Sequence, residues 1–257
     1  MSDRPDKWSD WPAGTGRLVL AECDSTMDET LRRAGDLAAP AWIMALRQTT
    51  GRGRRGRRWH DPEGNFAATL LLRPGMPPPE RALHSFIAAL ALHDALARAT
   101  GMSARFTLKW PNDVLLDGRK LAGILLESRG DLLLIGIGVN LSGAPDPAAL
   151  PAGALAPVAL APATGCRIGP GEFLDLLAPA FARHAAGFAA HGFAPIRRAW
   201  LARAAHLGGE VAVQAGNARL TGRFETLDEH GALVLDTGAG LRRIAAGEVF
   251  FTGREGS

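Results

Sequence analysis

Gly51-Arg52-Gly53-Arg54-Arg55-Gly56-Arg57-Arg58-Trp59 places five arginines and three glycines in nine residues. Glycine lets a backbone turn tightly and approach a ligand. Arginine supplies forked donors for carboxylate or phosphate. Such a segment is built to hold an anion, and the fold turns on the residues that come after Trp59. As written, Gly51-x-Gly53-x-x-Gly56 satisfies the dinucleotide fingerprint. That motif works only when a helix begins at the third glycine and aims its N-terminus at a pyrophosphate. Here the chain continues as Trp59-His60-Asp61-Pro62-Glu63-Gly64-Asn65, which is turn chemistry, so the dinucleotide fold is disfavoured. An RNA-binding arm with Trp59 stacked on a base and a solvated basic loop stay open. Such arms are usually terminal, however, and ordering three glycines costs more than a solvated loop would return. A loop that closes over a small anionic ligand is the reading carried forward.

The flanking segments read as strands, Ala41–Leu46 before the loop and Phe66–Leu72 after it. Upstream, Arg17–Glu22 is a strand, and Thr26 with Glu29 forms the capping-box signature of a short helix. Downstream, the Pro74–Pro79 turn leads to a helix over Glu80–Thr100, with Leu83, Phe86, Ile87 and Leu90 at core spacing. Strands are expected at Arg105–Lys109, Val114–Leu116, Lys120–Glu127 and Asp131–Val139, with a hairpin at Asp117-Gly118. Residues 141–170 read as loop with one short helix, and Glu172–Ala190 and Pro195–Ala205 as helices. Four or five short strands after Gly208 point to a small β-barrel. The expected organisation is an N-terminal arm over 1–16, a catalytic domain over 17–206 and the barrel over 207–257.

The chain has 257 residues, 47% apolar and 21% charged, and a net charge of +3. That is ordinary globular composition for one sizeable domain with an appendage. The basic charge is concentrated in the arginine loop, which favours a small ligand over a nucleic-acid track. Cys23 and Cys166 lie far apart, and with no signal-like or membrane-spanning apolar run a cytoplasmic location is expected. The seven histidines show no metal-ligand spacing, so no protein-bound metal is expected.

A second dense constellation, Lys109-Trp110-Pro111-Asn112-Asp113, ends a strand. Alone it reads as a surface lysine before a turn. Beside the arginine loop it reads as one cleft with three fixed cations, Arg52, Arg54 and Lys109, suited to joining two anions.

Residues 48–59, 109–113 and Lys120-Leu121-Ala122-Gly123-Ile124-Leu125-Leu126-Glu127 together resemble the biotin–protein ligases. Asp24-Ser25-Thr26, Gly136-Ile137-Gly138-Val139-Asn140 and the Gly247-Glu248-Val249 tail match the same family in the same order. The resemblance covers roughly residues 17–252. It implies a mixed α/β (α+β) catalytic domain of the biotin/lipoate ligase type, with a mixed sheet and packed helices, then an SH3-like barrel. It further implies an ATP-dependent reaction that forms biotinyl-AMP and transfers biotin to a lysine of a biotin carboxyl carrier domain of acetyl-CoA carboxylase. Biotin, ATP and Mg2+ are the implied small molecules. By resemblance Lys109 lies between the biotin carboxylate and the α-phosphate, with Arg54 as its catalytic companion. Ser25, Thr26, Met27, Gln48, Gly51, Arg52, Gly53, Arg54 and Lys109 are expected on biotin, with Gly51 and Gly53 offering backbone N–H groups. Arg52, Arg54, Arg55, Trp59, Lys109 and Asn140 are expected on ATP or the adenylate. Asp113 or Asn112 is a candidate to help place Mg2+. Met27 stands where the family often has Asn. The short segment before the first strand implies a ligase without a DNA-binding domain, and a homodimer stays open. A lipoate ligase of the same fold and an RNA-binding module remain the alternatives.

Overall fold

In the computed structural model, residues 10–150 and 154–251 are described. Residues 1–9 of the expected arm and 252–257 of the expected barrel lie outside them. The first half of the chain builds β1 (Gly16–Leu20), α1 (Thr26–Arg33), β2 (Ala41–Ala45), β3 (Phe66–Leu72), α2 (Pro78–Ala82) and α3 (His84–Thr100). A four-strand meander comes next, β4 (Phe106–Lys109), β5 (Asp113–Leu116), β6 (Arg119–Arg129) and β7 (Leu132–Val139). Then come α4 (Leu160–Thr164), α5 (Pro170–His191) and α6 (Phe193–Leu201). The last strands are β8 (Glu210–Ala215), β9 (Ala218–Leu227), β10 (Leu233–Asp236), β11 (Leu241–Ile244) and β12 (Glu248–Phe251).

The larger sheet has the order β1-β2-β3-β7-β6-β5-β4. Only β1 and β2 run parallel; the other neighbours are antiparallel, so the sheet is mixed. β7 alternates between two jobs. Ile135, Ile137 and Val139 belong to the main core, which includes Phe86, Ile87 and Leu90 of α3 and Phe173, Leu174 and Leu177 of α5. Leu132 and Leu134 join Met27, Ile43 and Leu71 in a smaller cluster under α1. Alternation along a strand sends neighbours to opposite faces, so a sheet with helices on both sides needs apolar residues at both parities.

The expected capping box at Thr26 does not form. Thr26 is the first helical residue, Ser25 precedes it, and the Glu29 carboxylate pairs with Arg32 and Arg33 instead. A tertiary partner takes the capping role: Gln48 Oε1 accepts from the Thr26 N–H at 2.8 Å and from its hydroxyl at 3.1 Å. The long helix expected from Glu80 is interrupted at Leu83, between α2 and α3.

The second sheet is antiparallel, with the order β11-β10-β9-β8-β12. Among the described residues no ladder joins its edges β11 and β12, so the expected barrel is open in its hydrogen bonding. Its inner residues Val211, Val213, Phe224, Leu233 and Leu235 are part of the main core. The segment after α6 covers the edge of β4, where the Leu108 N–H donates to Arg203 O and the Ala205 N–H donates to Leu108 O, both at 2.8 Å. Covering an edge in this way removes a template for unwanted pairing.

α3 and α5 are tied by a hydrogen bond as well as by packing. His184 Nε2 lies 2.8 Å from Asp94 Oδ2, and His93 Nδ1 lies 3.6 Å from Asp94 Oδ1. Burial pushes the Asp94 carboxyl up, but the hydrogen bond from His184 and the nearby Arg203 charge outweigh it and hold it well below the usual carboxylate range. A depressed folded-state value stabilises above the unfolded value and is lost as pH falls. Asp94→Asn is therefore expected to unfold more readily than the wild type at pH 7. That difference should shrink progressively below about pH 5. Urea unfolding of both proteins at several pH values checks this; a constant difference would count against a stabilising Asp94 carboxylate.

Candidate functional site

The face of the sheet away from α3 carries a strip with almost no side chains. Gly136 and Gly138 of β7 are paired with Thr69 and Ala67 on one side and with Leu125 and Gly123 on the other. A Cβ at Gly138 would overlap the Trp59 indole, and one at Gly123 would lie 3.2 Å from the same ring. A Cβ at Gly136 would lie 2.8 Å from Met27 Sδ. These glycines are retained for space, and they make a smooth floor with Trp59 and Met27 lying on it.

At one end of the floor is a cluster of buried polar side chains. Ser25 and Thr26 are buried, and Thr69 Oγ1 donates to Thr26 Oγ1 at 2.9 Å. Gln48 joins Thr26 to Asp61, its Nε2 donating to Asp61 Oδ2 at 3.3 Å. Ser25 Oγ and Asp61 Oδ1 are buried without a protein partner. Burial pushes the Asp61 carboxyl up. Buried polar groups are ordinarily paired, so unpaired donors and acceptors here mark a place for a small polar ligand. Ser25 makes no side-chain cap to α1, which leaves its hydroxyl for that purpose.

The arginine loop crosses the site and is held down by its neighbours. A three-residue turn at Arg54–Gly56 is its regular structure, with Arg55 and Gly56 at positive φ, and β3 rather than a helix comes next. The Arg52 guanidinium pairs with Asp28 of α1 and, at 3.4 Å, with Glu127 of β6. Arg54 donates to Asn112 Oδ1 at 3.0 Å and to Gly247 O at 3.3 Å. Burial pushes its guanidinium value down. Arg55 and Arg57 both reach Glu248 of β12, at 3.2 and 2.9 Å. The Gly53 N–H donates to Arg57 O at 2.7 Å, so it is not free for a ligand in this conformation. A Cβ at Gly51 would crowd Gln48 Nε2 and Trp59 O at 3.0 Å, which explains the glycine there.

The site holds two lysines. Lys109 is only 6% exposed, with its ammonium 3.7 Å from Asp113 Oδ2 and 6.0 Å from the Phe251 ring centroid. Lys120 lies beside the floor: its Cε and Nζ would lie 3.7 Å from a Cβ on Gly123, and its ammonium lies 6.0 Å from the Trp59 centroid. Lys120 Nζ also sits 2.7 Å from Asp113 Oδ1. Burial pushes the Asp113 carboxyl up, but Lys120 and Lys109 hold it below the usual range. Lys120, Asp61 and Glu248 were not singled out from the sequence. A lysine opening the 120–127 motif was the available signal for the first of them.

Asp113 and Asn112 do not fit Mg2+. The Asp113 carboxylate is taken by two ammonium groups, and Asn112 accepts from Arg54 while donating to Ile124 O. Among the described residues no group of three or more His, Cys, Asp or Glu could hold a metal ion. No helix among them is long and apolar enough to cross a membrane. Asn140 is buried and its Nδ2 donates to Val158 O at 3.1 Å, while Oδ1 has no protein partner. Its amide therefore pins the 157–161 segment in place and leaves one acceptor.

Residues 20–142 match the biotin/lipoate A/B protein ligase family, and residues 206–252 match the biotin protein ligase C-terminal domain. The chain is 54% identical to a biotin–[acetyl-CoA-carboxylase] ligase of Paracoccus denitrificans over 91% of its own length and 100% of that protein. It is 31% identical to a Mycobacterium tuberculosis protein of the same name, over 90% of this chain and 87% of the other. Among solved structures, a biotin protein ligase from Aquifex aeolicus in complex with biotin and ATP superposes with a TM-score of 0.79 at 28% identity. That match covers 91% of this chain and 97% of the other.

Proposed function

The chain belongs to the biotin/lipoate A/B protein ligase family, and from that premise we propose that its glycine floor receives biotin with the carboxylate directed at Lys120. The activity is ATP-dependent biotin ligation in two steps. A biotin carboxylate oxygen attacks the α-phosphorus of ATP; the new O–P bond forms as the bond to the β-phosphate oxygen breaks, giving biotinyl-AMP and pyrophosphate. The amine of a carrier lysine then attacks the acyl carbon, AMP leaves, and the amine loses a proton. The protein substrate in this reading is the biotin carboxyl carrier domain of acetyl-CoA carboxylase.

The supporting observation is the pocket at Ser25, Thr26, Gln48 and Asp61, whose unpaired buried oxygens suit a ureido ring with two donors and one acceptor. Between it and Lys120 runs the glycine strip on which Trp59 and Met27 now lie, and in this reading an aliphatic chain lies flat there once those two side chains make room. Bringing a carboxylate to a triphosphate meets repulsion, and preorganised cations reduce it. Lys120 is the partly exposed cation beside the floor. Arg52 and Arg54 join it when they exchange their present partners, Asp28 and Glu127 for the first and Asn112 and Gly247 O for the second, for substrate oxygens. Arg55 and Trp59 contribute to the adenylate side, and Asn140 Oδ1 supplies one acceptor there. Mg2+ comes with the triphosphate, as is common when a cation keeps few protein ligands.

The purified protein is expected to catalyse exchange of pyrophosphate into ATP only when biotin is present. Exchange supported by lipoate and not by biotin would overturn this reading. Gly138→Val tests the floor: the added methyls displace Trp59 and narrow the groove, and KM for biotin is expected to rise about tenfold, equivalent to about 1.4 kcal/mol. An unchanged KM would place biotin elsewhere.

A further inference from the structure

We propose that Asp61 sets ligand specificity, its Oδ1 accepting one N–H of the biotin ureido ring so that the pocket selects a donor at that position. The proposal rests on the ligase reading above. Its geometry is a chain of hydrogen bonds whose directions are fixed. The Thr26 backbone N–H can only donate, so the Gln48 atom that meets it at 2.8 Å is the oxygen, and the amide nitrogen is turned to Asp61. That nitrogen donates to Asp61 Oδ2 at 3.3 Å, and the Gln48 backbone N–H donates to the same oxygen at 3.2 Å. Two donors thus engage one carboxylate oxygen and hold the group in place. The other oxygen, Oδ1, is buried with no protein partner.

A buried carboxylate oxygen left unpaired is unfavourable for the fold. Burial pushes the Asp61 carboxyl up, and the Gln48 hydrogen bonds oppose that shift. Tying residue 61 to Gln48 does not require a carboxylate. An asparagine would accept from both Gln48 donors through its own oxygen, and would then set an amide NH2 where Oδ1 now lies. The carboxylate differs from that amide on one side alone, where it offers an acceptor and the amide offers a donor. Ser25 Oγ, also buried without a partner, cannot make the same distinction, because a hydroxyl turns to donate or to accept. Sites built around a fixed hydrogen-bonding group discriminate strongly against a ligand that leaves it unpaired.

The experiment measures pyrophosphate exchange with biotin and with its two cyclic carbamates, in each of which one ring N–H is replaced by oxygen. The wild type is expected to use one carbamate about tenfold to a hundredfold less well than biotin in kcat/KM, the range for losing a hydrogen bond to a charged group. The other carbamate, whose altered atom does not face Asp61, is expected to suffer less. Asp61→Asn is expected to raise KM for biotin by a similar factor with kcat nearly unchanged, since the ring is remote from the reacting carboxylate. The same variant uses the disfavoured carbamate better than the wild type does, because its amide NH2 meets the ring oxygen. Asp61→Ala loses biotin affinity without that gain. A gain on the carbamate is a readout that a merely structural role would not move, and the wild-type comparison stands even if the variants do not fold. Equal use of both carbamates by the wild type, Asp61→Asn at wild-type KM for biotin, or a variant that loses biotin and carbamate alike would each overturn the proposal. A gain in Asp61→Ala equal to that in Asp61→Asn would do the same. A wild type without biotin-dependent exchange would instead overturn the ligase reading itself.

Discussion

Replacing Lys120 by methionine is expected to slow biotin-dependent pyrophosphate exchange by about a hundredfold to a thousandfold, the range found when a preorganised donor to a developing charge is removed. The effect comes from position. Lys120 is the lysine whose ammonium reaches the glycine floor, and Asp113 holds it at 2.7 Å. Charge accumulates around the α-phosphorus as the carboxylate attacks, so the loss should appear in kcat more than in KM for biotin. Steady-state exchange kinetics with biotin and ATP varied separately give the split. A loss confined to KM would reduce Lys120 to a ground-state binding residue, and a variant within a few-fold of wild type would remove it from the chemistry.

Trp110→Ala is expected to destabilise the protein by about 3–5 kcal/mol, as for other large aromatic truncations in a core. Trp110 is 2% exposed, and its indole Nε1 donates to Gly231 O at 3.0 Å, across to the turn between β9 and β10. A Cβ on Gly247 would lie 3.5 Å from the same ring. The side chain thus clamps the turn after β4 to the β9–β10 turn and to the residue before β12. Urea unfolding followed by circular dichroism measures the loss. A midpoint unchanged from wild type would show that the ring carries little of the contact between the sheets. Because Lys109 and Asp113 flank this turn in register, exchange activity is expected to fall with stability.

Several features are legible in the sequence alone. Helix spacing over Glu80–Thr100 identified Leu83, Phe86, Ile87 and Leu90, all of them buried, although Leu83 falls at the break between α2 and α3. Turn residues after Gly56 correctly spoke against a helix there, and the Asp117-Gly118 dipeptide marked the hairpin, with both residues at positive φ. The Thr26–Glu29 capping box failed because it is a purely local rule, and a better acceptor arrived from Gln48, distant in sequence. Trp110 was grouped with a cleft because its motif is chemically dense, yet its neighbours are turns from the end of the chain.

Lys120 shows most clearly where local reading stops. Strict alternation puts residues 120 and 123 on opposite faces of a strand. The β5–β6 register shifts between Val114 and Leu115, which face Ala122 and Lys120 and skip Leu121. That irregularity brings Lys120 round to the face of Gly123. Taken alone, the amino-acid sequence determined the kind of chemistry: a glycine–arginine loop between strands, an anion-binding cleft, and motifs ordered as in the ligase family. The tertiary structure decided where each cation lies, Lys120 beside the glycine floor and Lys109 buried against Asp113. The physical reason is that residue types and local periodicities are written along the chain, whereas burial and strand register arise only when distant segments pack.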